Sequence, residues 1–276
     1  MGLFHHHESD NYVVHGTDLE KVGRLQYFWQ WCYGVAEPYL LQFSDWALRS
    51  RTGGKLITPK PNKIMPKGIV LSTAAVCRFI DFIYQADGPK GARMGIGDCV
   101  CQTALKKERE PRRKDMVLLY SADIYNNIVK TYDPIGTAEE AKTYLKRFHE
   151  AGLIHNVLYC FNSGKWTFVL CNCDNEICVP LRLHLRGKPM MMAGPEIVSF
   201  EQDKCLGIEN CGRCLARCSL KASSEVNGKS HVDYDKCLGC GLCVSTCQGQ
   251  ARKLVARKDY RHEDILTTRI LMGAKY

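Results

Sequence analysis

The chain has 276 residues, 16 cysteines, 45% hydrophobic residues and a formal net charge of +9. This length allows two or three compact units with an apolar core, and no apolar run approaches the roughly 18 residues of a membrane-spanning helix. The N-terminus lacks the apolar segment of a secretory signal, so we expect a cytoplasmic protein with reduced thiols. The positive surplus fits an acidic protein partner or an anionic surface.

Residues 17–50 predict a helix. The segment Thr17–Glu20 has the form of a capping box, apolar residues follow at helical spacing, and Pro38 is expected to break or kink the run. Three tryptophans (Trp29, Trp31 and Trp46) lie here. The helix either packs on the core or docks a partner. A basic, proline-rich connector over residues 51–69 separates a helical N-terminal region, residues 1–68, from the rest.

The middle of the chain, residues 69–200, predicts an α+β unit. Ser72–Gln85 has helical periodicity, and Thr137–Glu140 predicts the cap of a second helix that ends at Gly152. Strands then follow at Leu153–Tyr159 and Trp166–Leu170, joined by a turn with Asn162, Ser163 and Gly164. A helix followed by a β-hairpin is also the order of a winged helix, so we expect a winged-helix-like middle domain.

Five cysteines of this middle unit form a further candidate site: Cys99, Cys101, Cys171, Cys173 and Cys178. In an extended strand, a C-x-C pair puts both sulfurs on one face, about 7 Å apart. Five thiols exceed the four that a [4Fe–4S] cluster or a tetrahedral zinc needs. We expect Cys101, Cys171, Cys173 and Cys178 to hold a third cluster, with Cys99 as an alternative ligand. Zinc and a metal-free unit remain open.

The C-terminal part, residues 201–276, contains two cysteine runs. Cys205, Cys211, Cys214 and Cys218 read C-x5-C-x2-C-x3-C, and Cys237, Cys240, Cys243 and Cys247 read C-x2-C-x2-C-x3-C. The second run has the bacterial ferredoxin spacing for a [4Fe–4S] cluster, in which the fourth cysteine serves the neighbouring cluster. We therefore predict two crossed ligand sets: Cys205, Cys211, Cys214 and Cys247 for one cluster, and Cys237, Cys240, Cys243 and Cys218 for the other.

The residues around these runs agree with that prediction. Val226–Lys229 has the composition of a tight hairpin turn, and Gly212, Gly239 and Gly241 lie beside cysteines, where the backbone must approach a cluster. A zinc ribbon needs only two C-x2-C pairs. Beyond the last cysteine, five basic residues form either a docking surface or a solvated helix face: Arg252, Lys253, Arg257, Lys258 and Arg261.

Over about 60 residues this stretch resembles the two-cluster bacterial ferredoxins, although Ser219 and Gln248 replace the prolines of that family. More broadly, residues 65–260 resemble a group of anaerobic 4Fe–4S proteins. The resemblance rests on Cys99 and Cys101, on Gly152–His155 and on Leu170–Cys173. It implies a dicluster ferredoxin domain at the C-terminus, preceded by a cysteine-bearing domain.

The sequence thus predicts an α+β iron–sulfur protein that carries single electrons, or a subunit that relays them to or from a redox enzyme. The expected partner is a redox protein or a larger oxidoreductase complex, because we find no nucleotide-binding glycine loop and no nucleophile–base pair that would indicate catalytic residues. The alternative is a redox-sensing DNA-binding regulator. Nucleic acid is not the expected partner, since no helix with clustered Arg and Asn precedes the hairpin.

Overall fold

The computed structural model describes residues 4–6, 12–14, 24–49, 67–87, 93–162, 165–188, 190–258 and 260. The predicted capping box at Thr17–Glu20, the connector over residues 51–66 and Arg261 lie outside the described residues. The helices are α1 Arg24–Arg49, α2 Thr73–Asp87, α3 Val100–Leu105, α4 Tyr120–Ala122, α5 Ala138–Glu150, α6 Val179–Leu185, α7 Arg213–Ala216 and α8 Leu242–Ser245. A π-helical turn, Asp123–Ile128, follows α4, and a 3-10 turn, Gln202–Lys204, precedes Cys205.

Strands account for most of the remaining regular structure. They are β1 Phe4–His6, β2 Tyr12–Val14, β3 Lys67–Leu71, β4 Met94–Asp98, β5 Arg113–Leu118, β6 Tyr132–Pro134, β7 Ile154–Asn162, β8 Lys165–Cys173, β9 Met191–Met192, β10 Glu196–Phe200, β11 Ser223–Val226, β12 Lys229–Val232 and β13 Arg252–Ala256. The mixture of helices and largely antiparallel strands confirms the α+β class.

A seven-stranded sheet forms the frame of the middle part, in the order β6-β4-β5-β8-β7-β3-β9. Only the short β3–β9 pair is parallel. The hairpin β7–β8 is regular from the Ile154–Cys173 pair to the Asn162–Lys165 pair. The helix-then-hairpin order expected for a winged helix is present, but the two strands are inner strands of this sheet, paired with β3 and β5 on either side, and do not form a free wing.

Helices α2 and α5 cover the sheet and build the larger core. The side chains of Phe79, Ile83 and Phe148 are almost completely buried there. The cap of α5 is the predicted one: Thr137 Oγ1 accepts from the Glu140 N–H at 3.1 Å, and Glu140 Oε2 accepts from the Gly136 N–H at 3.2 Å. This cap fixes where α5 starts, and hence where its C-terminal residues His149 and Glu150 meet the C-terminal module.

Helix α1 runs through Pro38 without a break, contrary to the prediction that this proline ends or kinks the run. One side packs on the middle part, where Gln42 Nε2 donates to Ala104 O at 2.8 Å and Asp45 pairs with Arg182. The other side leaves aromatic residues exposed, Trp31 and Trp46 among them. Within the described ranges, no helix is both long enough and apolar enough to cross a membrane.

The C-terminal module shares a core with the sheet. Strand β10 pairs with β13, which joins the two ends of the module, and the hairpin β11–β12 turns at Asn227 and Gly228, both at positive φ. Val198, Leu238 and Leu242 of the module pack in one apolar cluster with Val70 and Ile154 of the sheet. The limits 1–68, 69–200 and 201–276 stay predictions, with the observation that residues 196–200 pair with the C-terminal module.

Candidate metal centres

Four cysteines surround one cavity of the C-terminal module. Cys205, Cys211, Cys214 and Cys247 line a cavity with about 340 Å³ of empty volume, part of it open to solvent. Cys205 follows the 3-10 turn, Cys211 and Cys214 lie on either side of Gly212 at the start of α7, and Cys247 comes just after α8. Gly212 has φ +58, so a left-handed residue opens the helix between two of the cysteines.

The other four cysteines surround a second cavity. Cys218, Cys237, Cys240 and Cys243 line a cavity with about 330 Å³ of empty volume, part of it again open to solvent. Two glycines at positive φ shape this loop. A Cβ atom on Gly239 would lie 2.0 Å from the carbonyl oxygen of Glu196, and one on Gly241 would lie 2.9 Å from Leu254 Cδ1. The loop therefore needs glycine at position 239 for contact as well as for conformation.

The two cavities divide the eight cysteines as the predicted ligand sets do. Cys218, the last cysteine of the first run, lines the cavity of the second run, and Cys247 lines the cavity of the first. Each lies at a point where the polypeptide leaves a short helix and its backbone turns toward the other run. Backbone groups already reach these sulfurs: the Ala222 N–H donates to Cys218 Sγ at 3.1 Å and the Ala251 N–H to Cys247 Sγ at 3.2 Å.

This donor set fits a [4Fe–4S] cluster in each cavity. Cys thiolates are the ligands of such clusters, and N–H groups directed at their sulfurs tune them. Burial raises the pKa of Cys243 to about 11. Burial also opposes ionisation of Cys205, but the Ser230 and Gly207 N–H groups donate to its sulfur and leave its pKa below the ordinary value. Metal binding therefore has to displace protons from the buried thiols of the second set.

A buried arginine separates the two cavities and lines both of them. Arg252 is 3% exposed, donates to the hydroxyl oxygens of Ser223 and Ser230, and hydrogen-bonds to the Cys243 thiol. Its guanidinium lies 5.3 Å from the centroid of the Phe200 ring. Among the described residues no carboxylate forms an ion pair with it, whereas its neighbour Lys253 pairs with Glu201.

The placement of Arg252 corrects the prediction that the last basic residues form one exposed surface or helix face. They begin on strand β13, and Arg257 also turns inward, where it donates to Gly194 O at 3.1 Å and to Cys237 O. Sequence reasoning missed the role of Arg252. The signal was the alternation along β13, because Arg252 and Leu254 share the face that meets the cavities while Lys253 faces out.

The five cysteines of the middle part come together in a row. The sulfurs of Cys173 and Cys178 are 2.9 Å apart, and hydrogen bonds connect Cys99 to Cys101, Cys101 to Cys178 and Cys171 to Cys173. All five are free thiols. Cys171 and Cys173 lie on β8 with their sulfurs on one face, as expected, but Cys99 and Cys101 lie at the start of α3 rather than on a strand.

Polar and charged groups surround this row. The buried Asp115 carboxylate accepts from the Val100 N–H at 3.0 Å and from the Cys171 thiol, and burial raises its pKa to about 6. Lys114, whose side chain is 1% exposed, forms an ion pair with Asp174 at 2.9 Å. The hydrogen bond to Cys178 raises the pKa of Cys101, and burial raises it further.

His155, predicted as a structural residue, belongs to a hydrogen-bond chain. Its Nδ1 lies 2.6 Å from Asn172 Oδ1 and its Nε2 lies 3.1 Å from Thr73 Oγ1. Thr73 in turn meets His149 at 2.8 Å, and His149 meets Ser245 of helix α8 at 2.7 Å. Burial lowers the pKa of His155 to about 4. These hydrogen bonds connect β8 to the module that contains the two cavities.

Comparison with known proteins agrees with the geometry of the C-terminal module. Residues 197–248 match the family model of the 4Fe–4S dicluster domain. The protein is therefore an iron–sulfur protein of the ferredoxin type, which binds [4Fe–4S] cofactor through this part.

Two curated proteins are similar to parts of the sequence. The B subunit of polysulfide reductase from Wolinella succinogenes is 28% identical over 105 residues, which is 37% of this protein and 54% of the relative. Pyruvate synthase subunit PorD of Methanothermobacter marburgensis is 30% identical over 59 residues, 21% of this protein and 65% of the relative. The matches thus span between about half and two thirds of the length of these relatives.

Proposed function

We propose that this protein transfers single electrons through two [4Fe–4S] clusters in its C-terminal module, as a carrier or as a subunit of an oxidoreductase complex. One cluster is held by Cys205, Cys211, Cys214 and Cys247, and the other by Cys237, Cys240, Cys243 and Cys218. The observation that carries the proposal is the pair of adjacent cavities, each lined by four cysteines with one contributed by the other run.

A bound [4Fe–4S] cluster supplies a one-electron couple whose potential depends on net charge, hydrogen bonds to sulfur and solvent exposure. The residues of this protein set all three. The Ala222 and Ala251 N–H groups donate to ligand sulfurs, apolar side chains such as Leu220 and Leu242 exclude water, and Arg252 places a positive charge between the sites. The protein therefore positions and tunes the cofactors and needs no catalytic side chain of its own.

A subunit role is supported by the relatives, whose names describe subunits of polysulfide reductase and of pyruvate synthase. The net charge of +9 suits docking to an acidic redox protein. No observation favours the DNA-binding alternative, because the hairpin expected to act as a wing is enclosed by neighbouring strands. The cytoplasm remains the expected location.

The test is anaerobic purification of the full-length protein, followed by iron and acid-labile sulfide analysis and EPR spectroscopy of the dithionite-reduced protein. At least about eight irons per molecule are expected. Cys240→Ser should remove one C-terminal cluster, whereas Cys77→Ser, at a half-buried thiol outside all proposed ligand sets, should leave the iron content unchanged. Protein that contains zinc in place of iron would contradict the proposal.

A further inference from the structure

The row of five thiols in the middle part lies outside the residues that match the dicluster domain. It draws on three separate parts of the sequence: the start of α3, the end of β8 and the residue before α6. Cys99, Cys173 and Cys178 are each at most 6% exposed. Core packing alone seldom brings so many thiols into mutual contact, since cysteine in an apolar core only needs apolar neighbours.

The arrangement of the sulfurs argues against a disulfide and against a single metal ion. The 2.9 Å between Cys173 and Cys178 exceeds a disulfide bond of about 2.05 Å. Sulfurs on one tetrahedral zinc lie around a common centre, at about 2.3 Å from it. Here they form a row, and within the described residues no three His, Cys, Asp or Glu side chains are gathered so as to hold one ion. A polynuclear cofactor, with one thiolate on each of several irons, takes ligands over a wider perimeter.

Charge around the row also suits a thiolate-bound cofactor. A buried lysine is costly unless a negative charge compensates it. Lys114 is fully buried beside the row; its pair with Asp174 stabilises the ammonium, and the nearby Cys99 sulfur would stabilise it further as a thiolate. The buried ammonium therefore offsets part of the negative charge that several thiolate ligands would bring into the core.

We propose that Cys101, Cys171, Cys173 and Cys178 hold a third [4Fe–4S] cluster, with Cys99 as the alternative ligand. The proposal extends the electron-transfer function proposed above and rests on it for its purpose, although not for its ligands.

The position of the row indicates what this cluster would do. Cys171, Cys173 and Cys178 belong to the same apolar cluster of side chains as Cys218, Cys237, Cys240 and Cys243. In that cluster Ile154, which pairs with Cys173 across the hairpin, and Val70 of β3 pack together with Leu238 of the ferredoxin loop. The third cluster would thus adjoin the Cys218/Cys237/Cys240/Cys243 site, and electrons would enter or leave the C-terminal pair through the middle part.

The test uses the full-length protein, because the two parts share one core. Anaerobically reconstituted protein should contain about twelve irons and twelve sulfides per molecule. The double variant Cys173→Ala/Cys178→Ala should fall to about eight, since these residues lie at the centre of the row. Cys77→Ala is the matched control and should keep about twelve. Mössbauer spectra of the wild-type protein provide a measurement that does not depend on any variant folding.

The outcomes separate this proposal from the one before it. About eight irons in the wild-type protein, with four lost in Cys240→Ser, would overturn the third cluster and leave the two C-terminal clusters standing. The same holds for about eight irons with one zinc that the double variant loses. Twelve irons retained by the folded double variant would also overturn it. Fewer than about eight irons in the wild-type protein would instead count against the proposed function itself.

Discussion

Removal of the charge of Arg252 should lower the reduction potential of both C-terminal clusters. The side chain is 3% exposed, lines both cavities and hydrogen-bonds to Cys243. A reduced cluster carries one more negative charge than an oxidised one, so a nearby cation stabilises the reduced state and raises the potential. Arg252→Gln keeps hydrogen-bonding capacity for Ser223 and Ser230 while it removes the charge.

The magnitude follows from Coulomb's law. Two unit charges 4 Å apart interact by about 4 kcal/mol at an effective dielectric constant of about 20. The electron is shared over a cluster, and at a mean separation of about 8 Å the interaction falls to about 2 kcal/mol. For a one-electron couple, about 1.4 kcal/mol corresponds to about 59 mV. Arg252→Gln should therefore lower each potential by roughly 50–100 mV.

EPR-monitored redox titration of the anaerobic protein measures this shift. Lys253→Gln is the matched control, because it removes a charge at the next residue, where the side chain is 61% exposed and solvent screens it. Arg252→Lys should keep most of the potential, since it retains the charge. Equal shifts in Arg252→Gln and Lys253→Gln, with iron content unchanged, would refute the view that the buried guanidinium tunes the clusters.

Three further predictions concern the loop, the buried histidine and docking. Gly239→Ala should cost about 2 kcal/mol or more and release iron from the second cavity faster than Gly228→Ala does, because the new Cβ would meet Glu196 O; equal rates of iron release would contradict this. His155 has a folded pKa of about 4, below its unfolded value of about 6.5, so its neutral form contributes stability that is present above about pH 6.5 and lost as the pH falls toward about 4; His155→Gln should flatten the thermal midpoint over this window, and an unchanged pH profile would count against it. Electron transfer to an acidic acceptor should slow as ionic strength rises, without retention of DNA at physiological salt; sequence-selective DNA binding that responds to oxidation would reverse this interpretation.

The sequence alone was enough for features that short segments encode. The cap of α5 and the turn at Asn227 and Gly228 depend on a few adjacent residues with defined backbone preferences. The crossed grouping of the eight C-terminal cysteines depends on spacing within each run, because a loop of C-x2-C steps keeps three sulfurs together and sends the fourth away. These features were predictable because their partners lie close together in the sequence.

Only the tertiary structure decided which distant segments meet. The order of the seven strands places β3 between β7 and β9, and no periodicity specifies such long-range pairing. The approach of Cys99 and Cys101 to Cys173 and Cys178 depends on this sheet, because about 70 residues separate the pairs in sequence. Pro38 remains inside a helix because the packing of α1 on the middle part outweighs the hydrogen bond that proline removes.

Arg252 shows the same distinction at the level of one residue. In the sequence it is one of several basic residues near the C-terminus, and charged side chains are mostly exposed. The pairing of β13 with β10 and the two cavities beside it turn its side chain inward, where Ser223, Ser230 and Cys243 provide hydrogen bonds. Its environment is the product of segments far apart in the sequence, so its burial follows from the assembled fold and not from the local pattern.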